Sequence, residues 1–180
     1  MKKLFIILLP ALVLLGGSSC KKATDAINKL TEFDMSYTSD FTVPGSAVTV
    51  TNTPFNYTSD DIATNSSTTF AAQKTVADKV TEIKLTRLNM STDAGRNFDY
   101  LKTITIYLQA PNQPEQQIAT KAVVPAGVSS VDLDLSDVNI KGYLTGTTFK
   151  LRVSAVLNGT NATDQKITLA ETAHVKASLL

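Results

Sequence analysis

Six apolar residues fall on odd positions near the end of the chain: Ile167, Leu169, Ala173, Val175, Ala177 and Leu179. Thr168, Thr172, His174, Lys176 and Ser178 occupy even positions, and Glu171 is the one polar break in the apolar row. A period of two puts the whole row on one face of an extended strand. A pairing slip of one residue would turn that row into water, so the strand has a single tolerable register. Such a strand needs a second apolar layer to cover it.

The same alternation recurs upstream. Phe33, Met35 and Tyr37 oppose Glu32, Asp34 and Ser36, which predicts a first strand from Thr31. Phe41–Val43 and Ala47–Thr51 read as strand pieces around a turn at Pro44–Gly45. In Glu82–Ser91, Ile83 and Leu85 are in one phase and Leu88 and Met90 in the other, which predicts a bulge at Arg87. Leu101–Gln109 sets Ile104, Ile106 and Leu108 against Thr103, Thr105 and Tyr107. Gln117–Val124, Val131–Leu135 and Phe149–Leu157 complete the set, the last with Lys150 and Arg152 opposite its apolar face. Asn52–Thr69 reads as a long loop or irregular edge strand. Ala71–Val80 is the best helix candidate, and Asp137–Leu144 fits one helical turn capped by Ser136 or Asp137. Eight or so strands, each with one wet face, predict an all-β fold: a two-sheet antiparallel sandwich, immunoglobulin-like in architecture, with one or two short helical turns. There is one cysteine and no tryptophan, so an antibody-type domain is not implied.

The N-terminus has a different composition. Lys2 and Lys3 precede an apolar run from Leu4 to Leu15, broken by Pro10, and Gly16, Gly17, Ser18 and Ser19 follow. That order is the pattern of a secretory signal peptide. About twelve apolar residues span roughly 18 Å, short of a hydrocarbon core of about 30 Å. Cys20 then stands where cleavage should fall. It has no partner for an intrachain disulfide, and the single histidine, His174, lies at the far end of the chain. Lipidation and ordinary cleavage leaving a free thiol are the remaining readings. Residues Leu14–Cys20 resemble the lipobox of bacterial lipoproteins, with Gly17 where the family carries an aliphatic residue. The resemblance implies a diacylglycerol thioether on Cys20 and a chain tethered to a membrane that it does not span. Two or three acyl chains hold stably where one is marginal.

The predicted boundaries are therefore a signal peptide over 1–19, a lipidated cysteine and tether over 20–30, and one β-sandwich domain over 31–180. Removing the signal peptide takes away Lys2 and Lys3 and no acid, which turns a net charge of +1 into about −1. Such a chain lacks the basic stripe that nucleic acid demands.

Few residues offer chemistry. Asp132, Asp134, Ser136 and Asp137 start like a calcium loop, but Asp137 stands where glycine is needed and Tyr143 where a bidentate glutamate is needed. The acids alternate with Val131, Leu133 and Leu135, so a solvated strand face explains them, and no metal or other cofactor is expected. His174 lies on the polar face of its strand, and no serine sits in a Gly-x-Ser-x-Gly elbow, so no enzyme activity is expected. Five Asn-x-Ser/Thr sequons, at Asn56, Asn65, Asn89, Asn158 and Asn161, reflect the abundance of Asn and Thr. Among the aromatics, Tyr107 with Tyr57 and Phe55 are the candidate ligand contacts, and Tyr107 leads because its neighbours Ile106 and Leu108 turn it outward.

With its lipobox, its sandwich pattern and the segments TEIKLTRLNMST, FDYLKTITIYLQAP and FKLRVSAVL, the chain resembles the small outer-membrane lipoproteins of the Bacteroidota. In that group an acidic stretch after the lipidated cysteine accompanies surface export. Lys21-Lys22-Ala23-Thr24-Asp25 departs from it, which favours the periplasmic face of the outer membrane. The function expected is a non-enzymatic binding module engaging an envelope protein or a glycan. The alternatives are a carrier for an apolar or glycan ligand, or a fimbrial or adhesive subunit.

Overall fold

The computed structural model describes residues 32–45, 54–159 and 163–178. The signal peptide, Cys20, the tether, the predicted strand piece at Ala47–Thr51 and Leu179 lie outside them. Two antiparallel sheets face each other. The smaller has the order β1 (Glu32–Val43), β10 (Gln165–Ala177), β4 (Val80–Thr92), β7 (Ser130–Asp132). The larger has β2 (Pro54–Thr58), β9 (Thr148–Leu157), β5 (Leu101–Gln109), β6 (Gln116–Lys121) and β8 (Asp134–Leu135), with β3 (Ile62–Ala63) also on β9. The two-sheet sandwich predicted from the alternation is the architecture seen.

The odd-position row drives the smaller sheet. Ile167, Leu169, Ala173 and Val175 are fully buried, and Ala177 nearly so. They face Ile104, Ile106, Leu151 and Val153 of β5 and β9, which are equally buried. Burying a side chain of this size contributes roughly 1.5–3 kcal/mol, so the facing rows outweigh any local preference of the chain. The predicted bulge in β4 is present: Thr172 pairs with Arg87 and Ala173 with Leu85, leaving Thr86 as the extra residue. A second bulge, in β6, lets Ile118 and Ala119 both point inward.

Several elements differ from the alternation's forecast. Phe41–Val43 is not a separate strand but the end of β1, which runs unbroken for 12 residues. Val131–Leu135 is not one strand either. Asp132 pairs with Asn89 in the smaller sheet and Asp134 with Thr120 in the larger, and buried Leu133 carries the chain from one layer to the other. Ala122–Val124 leaves the ladder that β6 was expected to continue. The stretch Asn52–Thr69 contains β2, β3 and most of a helix, α1 (Ser66–Ala72).

The helix predicted over Ala71–Val80 thus lies earlier. Its inward residues Ser66 and Phe70 sit one turn apart, and Lys74 at φ 56° ends it, leaving a single 3₁₀ turn at Ala77–Lys79. The second helix, α2 (Lys141–Leu144), is not capped by Ser136 or Asp137. Asn139 does that work: its Oδ1 accepts from the backbone N–H groups of Lys141 (3.0 Å) and Ile83 (3.1 Å), tying the turn to β4. Among the described residues no helix is long and apolar enough to cross a membrane.

An aromatic seam closes the sandwich along β1. Phe33 meets Phe70 of α1 edge-on at 6.0 Å, Tyr37 meets Phe149 of β9 edge-on at 5.0 Å, and Phe41 stacks on Tyr57 of β2 at 4.8 Å. The three β1 residues are four apart, so all share the inner face of the strand.

Candidate functional site

Tyr107 lies on the outer face of the larger sheet, as its neighbours require. β5 pairs Tyr107 directly with Arg152 of β9, and the Arg152 guanidinium lies 4.0 Å over the tyrosine ring. The same guanidinium makes three hydrogen bonds to two further groups. Its Nε donates to Glu115 Oε2 (2.8 Å), its Nη2 to Glu115 Oε1 (2.6 Å) and its Nη1 to Asn56 Oδ1 of β2 (3.0 Å). Gln109 Nε2 donates to Glu115 Oε2 at 2.6 Å. Three strands and the segment ahead of β6 therefore converge on one planar cation.

The chain positions Glu115 through its proline-bounded turn. Pro111–Pro114 reverses direction after β5, with Asn112 at φ 60°, and the Tyr143 hydroxyl donates to the Pro114 carbonyl at 2.7 Å. The Arg152 bonds hold the Glu115 carboxyl below the usual carboxylate range, and the carboxylate in turn raises the guanidinium. Arg152 and Glu115 side chains keep 24% and 34% of their surface, so the cluster is reachable from solvent. Beside it a cavity of about 240 Å³ opens between Asp61, Gln109, Pro111, Phe149 and Lys150. Gln109 belongs to both, and Lys150 stands two residues from Arg152 on the same face. The cavity is smaller than the roughly 300–1,000 Å³ of a drug-sized pocket, a size for one ring or one short side chain.

The other two candidate contacts lie elsewhere. Tyr57 and Phe55 point between the sheets, where Tyr57 stacks on Phe41 and both pack against the core. Burial, then the charge of Asp60, raises the Tyr57 phenol. Tyr57 and Phe55 thus share no outer face with Tyr107. Alternation in β2 turns both aromatics inward and leaves Asn56 as the outward residue. Tyr107 itself is no bare stacking platform, since the guanidinium already covers it.

The remaining sequence candidates resolve into cation–anion pairs. Asp132 accepts from Asn89 (2.8 Å) and Arg87 (3.4 Å), Asp134 from Lys121 (3.0 Å) and Asp137 from Lys84 (2.6 Å). Their division between two sheets leaves no common centre, and among the described residues no group of three His, Cys, Asp or Glu could hold a metal. His174 lies across from Asp34, with Nδ1 2.8 Å from the carboxylate and Nε2 3.6 Å from Glu32.

No protein-family model matches the chain. None of the curated proteins matches it either. Among solved structures, a chain of Desmodium yellow mottle tymovirus is similar at 12% identity, covering 99% of this chain and 98% of that one, with a TM-score of 0.28. At that TM-score the likeness carries no argument.

Proposed function

We propose that this chain is a non-enzymatic binding module of the bacterial envelope, with an immunoglobulin-like sandwich tethered to the outer membrane by a lipid on Cys20. The proposed address is the periplasmic face, because Lys21 and Lys22 stand where exported relatives are acidic. Its recognition surface is the outer face of the larger sheet around Arg152. The observation that supports this reading is the convergence of Tyr107, Glu115 and Asn56 on one guanidinium, with Gln109 bonded to the same Glu115 carboxylate, beside a 240 Å³ cavity. Planar polar side chains fixed by one another and flanked by a cavity suit the hydroxyls and amides of a glycan or of an envelope protein. They lose little freedom when a partner docks.

The test is an amide-resonance titration of the isotopically labelled chain with peptidoglycan fragments and lipopolysaccharide core oligosaccharides. Shifts clustering at Asn56, Tyr107, Gln109 and Arg152, and lost in Arg152→Ala, are expected. Shifts mapping to the opposite sheet, or unchanged by Arg152→Ala, would overturn the assignment of the surface.

A further inference from the structure

The break in the odd-position row, Glu171, is not exposed. It is 4% accessible, and neither carboxyl oxygen finds a hydrogen-bond partner among the described residues. It sits between Leu169 and Ala173 on the inner face of β10, against a void of about 10 Å³ bordered by Leu85, Leu108, Ile118, Phe149 and Leu151. That void has room for about one water molecule. From β1, Tyr37 pairs directly with Glu171, and its hydroxyl donates instead to the Thr64 carbonyl at 2.9 Å. The residues lining the void from β4, β5, β6, β9 and α2 are apolar, so Tyr37 is the one other titratable group facing the acid among the described residues.

We propose that Glu171 is a proton-held latch on the edge strand β1: protonated, it lies neutral beneath the aromatic seam, and ionised, it drives β1 off β10. An unpaired carboxylate in apolar surroundings is costly, and the chain relieves the cost by letting water in where opening is cheapest. β1 is that place. It pairs as a strand with β10 alone, at the edge of its sheet, whereas β10 also pairs with β4. It meets the larger sheet and α1 through side chains, the three aromatic contacts and the Tyr37–Thr64 bond. Burial pushes the Glu171 carboxyl up to about 8, and burial together with the Glu171 charge raises the Tyr37 phenol, which stays protonated. The acid is thus the group that switches. β1 is also the strand that follows the proposed tether, so the latch would couple local pH to how the domain hangs from its anchor.

Hydrogen exchange of the full chain in detergent micelles, followed from pH 5 to 9, tests this. After division by the intrinsic chemical rate, the opening constant of β1 amides is expected to rise by roughly 400-fold between pH 5 and 8. Amides of β5 and β9 should stay level, and Glu171→Gln should flatten the β1 response. A carbon-13 titration of the Glu171 carboxyl in the unmutated chain provides an arm that needs no variant. A midpoint near 8 supports the latch. A midpoint near 4.5, a flat β1 profile, or equal responses of β1 and β9 would overturn it.

Discussion

Removing Arg152 should do more than delete a surface ion pair. Exposed pairs contribute about 0.2–1 kcal/mol in double-mutant cycles. The Arg152–Glu115 pair differs in two respects: it is bidentate, with both bonds at or below 2.8 Å, and both partners are more than half covered. Parallel charge-assisted bonds of this kind fix geometry as well as energy. The expected coupling is about 1.5 kcal/mol, and the Arg152–Tyr107 contact adds about 0.5 kcal/mol. The assay is urea unfolding of wild type, Arg152→Met, Glu115→Gln and the double variant, repeated with Tyr107→Leu. Methionine retains the apolar stem over the ring, so the cycle isolates the charge. The acid limb provides a second reading. The Glu115 carboxyl is held below its ordinary 4.5, so its contribution is present above about that pH and is lost as pH falls through the lowered value. Glu115→Gln should flatten that limb. A coupling within about 0.3 kcal/mol of zero would mean that the cluster is not a preformed surface, and the reasoning that assigns recognition to it would fail.

Glu171 makes an opposite prediction for global stability. Its folded value near 8 exceeds the unfolded 4.5, so stability is greatest below pH 4.5 and falls as pH rises to 8, by about 5 kcal/mol in all. Glu171→Leu should be more stable than wild type at pH 8 by roughly that amount, with a far smaller difference at pH 4.5, as read from urea midpoints. Equal midpoints at pH 8 would contradict a neutral buried acid. Thr64 is 2% exposed, and its hydroxyl donates to the Gly146 carbonyl at 2.5 Å while contacting Ser66 Oγ at 3.1 Å. Thr64→Val should cost about 1–3 kcal/mol by removing those bonds and leaving the Ser66 backbone N–H, which donates to Thr64 Oγ1 at 3.3 Å, without that acceptor, and calorimetry showing no loss would refute that role for the hydroxyl.

The sequence could be read wherever one apolar row faced one neighbour. The β10 row, the bulge in β4 and the outward turn of Tyr107 all follow from period two. It could not be read where the same alternation served two layers. Val131, Leu133 and Leu135 alternate without interruption, yet the chain changes sheets at Leu133, because periodicity records which residues are covered and not by what. α1 was hidden by its Ser-Ser-Thr-Thr start, a poor helix former that is held by the buried Thr64, Ser66 and Phe70. Glu171 was visible as a break, but no local pattern tells a buried acid from an exposed one. For the site, the outward positions of Tyr107 and Arg152 were both legible, and only the β5–β9 pairing joins them. Glu115 and Asn56 were missed because their partner Arg152 lies 37 and 96 residues away, and Gln109 joins the site only through Glu115. The inward phase of Tyr57 and Phe55 was hidden by the polar flanks of β2.

The account as a whole turns on how the domain is held. Mass spectrometry of the native N-terminus, with fatty-acid labelling compared between wild type and Cys20→Ser, tests it most directly. The prediction is a chain beginning at Cys20 with two or three acyl groups, and a Cys20→Ser chain without label. A free thiol at Cys20, or a mature chain beginning elsewhere, would contradict the tethered module outright.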